Sequence, residues 1–186
     1  MKIKMAYIGN EVLRRKAREV KNIDSHIKTL VDGMWKMMYA KDGIGLAAPQ
    51  VGKDLRIFVA DLSPYEIDFK VAIINPEIVA FSEKKEEGEE GCLSIPGVYA
   101  PVERATAVEL RGYTLEEKEV KFYLEGFPAR VVQHEVDHLS GVLFIDHVPQ
   151  EKLSEYMEDL NIPDPDKDIV IEVFPPKKGR SKKLKR

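Results

Sequence analysis

The chain has 186 residues, 44% of them hydrophobic and 33% charged, with a net charge of −3. That is enough for one globular domain with a substantial core and a short appendage. No apolar run is long enough to span a membrane, residues 1–6 lack the apolar core of a signal peptide, and the single cysteine, Cys92, rules out an internal disulfide, so a cytoplasmic protein is expected.

Residues 11–20 read as a short charged helix. Asp24 suits an N-cap, and Ile27, Leu30, Val31, Met34, Met37 and Met38 follow at helical spacing until Gly43. The three methionines read as core. Residues 43–52, Gly-Ile-Gly-Leu-Ala-Ala-Pro-Gln-Val-Gly, form a loop of small residues whose backbone can be approached closely. It is not a phosphate loop, because no Lys-Ser/Thr follows. Strands are expected at 55–61, 71–74 and 78–82, with Asn75 and Pro76 as a turn. Residues 82–90 are acidic and expected to be exposed. Residues 105–114 and 120–124 alternate in polarity and join through 115–118 as a hairpin.

A helix carrying residues 133–138 follows, with Pro128 in its first turn and Gly141 at its end. A last helix is expected at 149–161, with Leu153, Tyr156, Met157 and Leu160 on one face and Pro163 and Pro165 as stops. Residues 169–174 read as a strand or an extended linker. Strands without βαβ alternation predict an α+β fold, antiparallel β-sheets packed around a central helix. The expected division is a domain over 1–162 and a C-terminal extension over 163–186. Residues 175–186 carry 7 positive charges and no acid, leaving 22 basic and 32 acidic residues elsewhere, a net of −10. A basic tail on an acidic body suggests an anionic partner or a solvated end.

The chain has four histidines, and two of them fall in Gln133-His134-Glu135-Val136-Asp137-His138. This is His-Glu-x-x-His. On a helix, i and i+4 share a face, so His134 and His138 can reach one metal ion, with Glu135 placed to handle protons for water. A catalytic site of this type needs a third ligand and an open position. Cys92, in Glu90-Gly91-Cys92-Leu93-Ser94, can supply it, because one thiolate and two imidazoles suit zinc or iron(II). Taken alone, a lone cysteine can be an inert core residue, a nucleophile, a metal ligand or an accident, and composition favours the inert core residue.

Three segments together resemble peptide deformylase: residues 43–50, 90–94 and 133–138, in that family's order. The resemblance covers residues 1–160 and implies a metallohydrolase that removes the N-formyl group from the N-terminal methionine of new polypeptides and releases formate. It implies one divalent metal per chain, iron(II) first, with zinc, nickel or cobalt as alternatives, held by Cys92, His134 and His138. It further implies Glu135 as acid/base, and Gln50 with the Leu93 backbone N–H as carbonyl polarisers. Peptide is expected to lie extended along Ile44, Gly45 and Gly91. An apolar methionine pocket is expected from Ile44, Phe127 and Val131.

Glu90 and Arg104 are read as a pair steadying the cysteine loop, and Asp137 as either a support for a ligand or a solvent-facing residue. Arg130 stands out as a charge close to the methionine pocket. His26 and His147 read as structural or exposed. The expected partners are N-formylmethionyl nascent peptides and, through the basic tail, the ribosome. A metalloprotease with another third ligand, a cysteine hydrolase pairing Cys92 with His134, and a metal-stabilised nucleic-acid-binding module are the competing readings.

Overall fold

A computed structural model describes residues 1–176 of the chain. In chain order its elements are β1 (Lys2–Lys4), α1 (Ser25–Ala40), β2 (Gly45–Ala47), β3 (Ile57–Asp61), β4 (Lys70–Phe81), β5 (Lys85–Cys92) and β6 (Ile95–Ala105). Then follow β7 (Ala107–Tyr113), β8 (Glu119–Glu125), α2 (Phe127–His138), α3 (Gln150–Met157) and β9 (Val170–Glu172). β2, β3, β4, β7 and β8 pair antiparallel in that order. β5 and β6 form a separate hairpin, and β1 pairs with β9. α2 lies against β2, β3, β4, β6, β7 and β8, so antiparallel sheets surround a central helix as expected. None of the described helices is long and apolar enough to cross a membrane.

Three apolar clusters hold these layers. Met34, Met37 and Met38 of α1 are fully buried with Ile3, Leu46 and Ile57. Ala129, Val132 and Leu139 press α2 onto Phe58, Ala60 and Leu110 of the sheet. Val98, Ala100 and Val102 of β6 pack on Leu13, Leu143 and Phe144. Leu153, Tyr156, Met157 and Leu160 cover this last cluster from α3 and the residues after it, on the face foreseen.

Several expected elements take another form. Residues 11–20 are not a helix: a 3-10 turn, Glu11–Arg14, is capped by Asn10, and the chain then runs extended. Its backbone groups bond to distant segments, Ala17 N–H to Leu139 O (2.9 Å) and Arg18 N–H to Asp54 O (2.8 Å), which a local helix would forbid. Asn75 and Pro76 are not a turn but a bulge inside the single strand β4. Asn75 takes φ +51°, and its amide bonds both backbone groups of Val20. The acidic segment 82–90 is largely β5, with Glu86, Glu87 and Glu89 outward and Glu90 buried. β6 escaped notice because Pro96 and Pro101 interrupt its alternation. α3 ends at Met157, short of residue 161, and the 169–174 segment holds the short strand β9. Gly43 follows α1 as foreseen, although Asp42 takes the left-handed step at φ +55°.

Candidate metal centre and substrate cavity

The rotation of α2 decides what reaches the site. Pro128 stands in its first turn, and Gly141 leaves it at φ +72°. Gln133 then pins the helix to the end of β6. Its Oε1 accepts from Ala105 N–H (3.2 Å), and its Nε2 donates to Ala105 O and Ala129 O (2.9 Å each). With Ala129 and Val132 turned to the sheet, His134, Glu135 and His138 face the end of β5. There the β5–β6 register slips between Gly91 and Cys92 and swings the thiol inward.

Cys92, His134 and His138 each offer a ligand atom, all within 4.8 Å of one another. His138 Nε2 lies 3.3 Å from His134 Nε2 and 3.4 Å from Cys92 Sγ. Donors held about 2.05 Å (N) and 2.3 Å (S) from a tetrahedral ion stand about 3.3 Å (N–N) and 3.6 Å (N–S) apart. The spacing therefore fits one small cation. Burial disfavours charge on both imidazoles, yet Cys92 and Glu90 hold His134 well above its usual range while His138 is driven well below it.

Glu90 organises the support for this centre. It is 6% exposed and accepts from Arg104 Nε and Nη2 (2.9 Å each), Arg130 Nη1 (2.8 Å) and His134 Nδ1 (3.0 Å). Burial opposes its ionisation, but Arg104 and His134 outweigh burial and hold the carboxyl far below its ordinary value. With Nδ1 turned to Glu90, a neutral His134 would have Nε2 available as a ligand. The expected Glu90–Arg104 pair is present, and Arg104 also donates to Asp137 (2.6 Å), which His147 meets at 2.8 Å. Asp137 therefore supports the cluster, and His147 joins its outer end. His26 lies outside it.

Glu135 is 4% exposed, and its Oε2 is buried without a hydrogen-bond partner among the described residues. Burial pushes its carboxyl up to about 7, with His134 partly offsetting the effect. A cation held by the neighbouring histidines would pull it back down. Gln50 is equally enclosed. Ala47 N–H donates to its Oε1 (2.9 Å), which turns Nε2 toward Ser94 Oγ (3.2 Å) and Cys92 Sγ (3.3 Å).

A cavity of about 520 Å³ opens in front of these groups. Ile44, Gly45, Gln50, Glu90, Gly91, Cys92, Leu93, Phe127, Val131, His134 and Glu135 all line it, so the fold brings the expected site residues together. His138 and Arg104 stand behind the wall. Gly45 has no room for a side chain, because a Cβ would meet the Glu135 carboxylate, and one at Gly91 would lie 2.6 Å from the Tyr99 ring. Phe127 packs on Tyr65 (4.8 Å between centroids), which extends the apolar end.

Arg130 brings no loose charge to that end. Besides Glu90, it donates to Val102 O (2.7 Å) and Glu86 O (2.8 Å). Its support of Glu90 was missed, although Arg130, His134 and His138 recur at i, i+4 and i+8 on one stripe. Ser94 and Tyr99 were missed too, and only the hairpin's register reveals them.

The family model described as polypeptide deformylase matches residues 2–154. A peptide deformylase of Pseudothermotoga lettingae is 47% identical over 150 residues, 80% of this chain and 84% of that protein. One from Desulforudis audaxviator is 47% identical over 135 residues, 73% of this chain and 86% of its own length. Among solved structures, a peptide deformylase from Synechococcus elongatus in complex with actinonin superposes with a TM-score of 0.80 at 40% identity, covering 84% of this chain and 86% of that one. The peptide deformylase from Thermotoga maritima gives 0.75 at 41% identity, covering 79% and 97%. The chain therefore belongs to the polypeptide deformylase family, metal-dependent hydrolases that take the N-formyl group from the N-terminal methionine of newly made polypeptides.

Proposed function

We propose that Cys92, His134 and His138 are the metal ligands, Glu135 the proton carrier, and Gln50 with the Leu93 N–H the donors to the formyl oxygen. The observation that carries this is the clustering of three ligand atoms, with His138 Nε2 at near-tetrahedral distances from the other two, beside a buried carboxylate oxygen unpartnered among the described residues. Bound there, a divalent ion supplies Lewis acidity that sharpens water as a nucleophile and polarises a carbonyl. Iron(II) is the proposed ion, and the same thiolate–imidazole set accepts zinc, nickel or cobalt.

The chain's own residues do the rest. Gln50 Nε2 donates to the oxygen on which negative charge develops as water adds to the formyl carbon. Ala47 holds that amide ready, so little reorganisation is needed during the reaction. Glu135 Oε2 takes the proton of the attacking water and returns it to the amine nitrogen as the C–N bond breaks. Formate and a free N-terminus result. Ile44, Phe127 and Val131 receive the methionine side chain. The peptide lies extended beside the open edge of β2 and along Gly91, where main-chain bonds accept any following sequence.

Such substrates arise where translation starts on formylmethionine, and a cytoplasmic location beside ribosomes is part of this reading. The basic stretch beyond Pro176 lies outside the described residues. Its charge supports docking on ribosomal phosphate. The decisive experiment measures formate release from a formyl-methionyl peptide alongside metal content. Cys92→Ala, His134→Ala and His138→Ala are each expected to lose both together. Full metal content in all three would defeat the ligand assignment.

A further inference from the structure

The family match stops at residue 154, but the wall of the cavity continues beyond it. Pro163 lines the cavity, and so do Tyr7 and Lys41, both of which are gripped from behind by Asp168. Tyr7 OH donates to Asp168 Oδ2 (2.6 Å), Lys41 Nζ donates to Tyr7 OH (3.1 Å), and Lys41 is ion-paired with Asp168 Oδ1. These are not loose surface charges: the Lys41 and Asp168 side chains keep only 18% and 11% exposure.

The segment that carries Asp168 is fastened at both ends. Asn161 N–H bonds Pro96 O (3.0 Å) on the cavity wall, and Val173, beyond β9, is buried beneath α1. Residues 161–173 therefore form a fixed strap that meets the mouth at Pro163.

The mouth has a direction. Gly45 touches Glu135 at the reacting end, and Lys41 lies four residues earlier on the same wall. An extended peptide advances about 3.3 Å per residue. A substrate with its formyl group at Glu135 that leaves along this wall passes Tyr7, Lys41 and Pro163 with residues beyond its first.

We propose that residues 163–168 form the outer wall of the peptide channel, and that Asp168 sets specificity there by withholding the Lys41 cation from substrate residues beyond the first. The enzyme then accepts acidic and neutral sequences alike, as a processor of many different proteins must. Asp168 is a positioning residue in this scheme, and it acts through Lys41. The inference rests on the deformylase reading.

The test compares formyl-Met-Ala-Asp-Asp amide with formyl-Met-Ala-Ser-Ser amide at low salt. In Asp168→Asn, the acidic-to-neutral ratio of kcat/KM is expected to rise about two- to fivefold over the unmodified enzyme, the scale of an exposed ion pair. Adding Lys41→Met to Asp168→Asn is expected to abolish that rise. A lowered Tm with an unchanged ratio would overturn the proposal, because a strap that only stabilises moves both substrates equally. An equal rise in the double variant would overturn it too. If Asp168→Asn does not fold, Tyr7→Phe loosens the same clamp without altering a charge and is expected to shift the ratio the same way by less. No shift there would be equally fatal. Formate release by the unmodified enzyme from the neutral peptide checks the deformylase reading separately.

Discussion

Glu135 occupies the most enclosed position of any acid in the cavity, and its neighbours leave one oxygen free for a proton in transit. Because it is not a proposed ligand, Glu135→Gln is expected to keep its metal while deformylation falls by about 10²–10⁴-fold, the usual contribution of an acid–base group. Metal analysis beside single-turnover formate assays would show this, and activity within a few-fold of the parent would remove Glu135 from the chemistry. At this scale the sequence was most readable where geometry is local. His134 and His138 announce themselves because four residues make about one helical turn. Cys92 needed the resemblance, since nothing in its own segment separates a ligand from a core thiol. Tyr7, Lys41 and Asp168 could not be found, because their bonds span 34, 127 and 161 residues and only the folded chain brings them together.

Elements depend on a few close approaches. Gly33 lies inside α1, where glycine ordinarily costs about 1 kcal/mol against alanine. A Cβ there would stand 2.7 Å from Ile3 Cγ1 and 2.8 Å from Val173 Cγ2, both buried side chains. Gly33→Ala is therefore expected to lower Tm despite its better helix propensity, by an overpacking cost of about 1–3 kcal/mol. Faster amide exchange in β1 and β9 than in the five-stranded sheet would localise the damage. A raised Tm would mean that the strands yield easily. α1, α2, β7 and β8 were legible because their burial follows one period throughout. Residues 11–20 were not, because their backbone bonds to Asp54 and Leu139, partners no window of sequence contains. β4 was split in two for a related reason: Asn75 looks like a turn residue, and it bulges only because Val20 takes both ends of its amide.

Across the whole molecule, acid should loosen the strap. Burial opposes ionisation of Asp168, but Lys41 and Tyr7 outweigh it and hold the carboxyl below its ordinary value. A carboxyl lowered in the folded state adds stability that is complete above its unfolded pKa and is lost as pH falls through the lower, folded value. Stability should thus decline below about pH 4. Asp168→Asn is expected to be less stable at pH 7 and to show a shallower acid limb in urea titrations. Parallel limbs would place the acid sensitivity elsewhere. Truncation after Phe174 is a different operation, since it spares β9 and the buried Val173. Turnover of short formylated peptides should be nearly unchanged, while ribosome affinity should lose its salt-dependent part. Identical ribosome affinity across a salt series would end the docking role.

The pairing of β1 with β9 also sets a timetable. Lys2 faces Glu172, Ile3 faces Ile171 and Lys4 faces Val170, so an early strand of the chain waits for one of the last. During synthesis the catalytic helix and the five-stranded sheet are complete while Ile3 still lacks its cover and the channel lacks its outer wall. Closing so long a loop carries an entropic cost that rises only slowly with length, so the delay is set by the ribosome's pace more than by the search. A newly emerging copy is therefore expected to bring the proposed ligands Cys92, His134 and His138 together before its channel is finished.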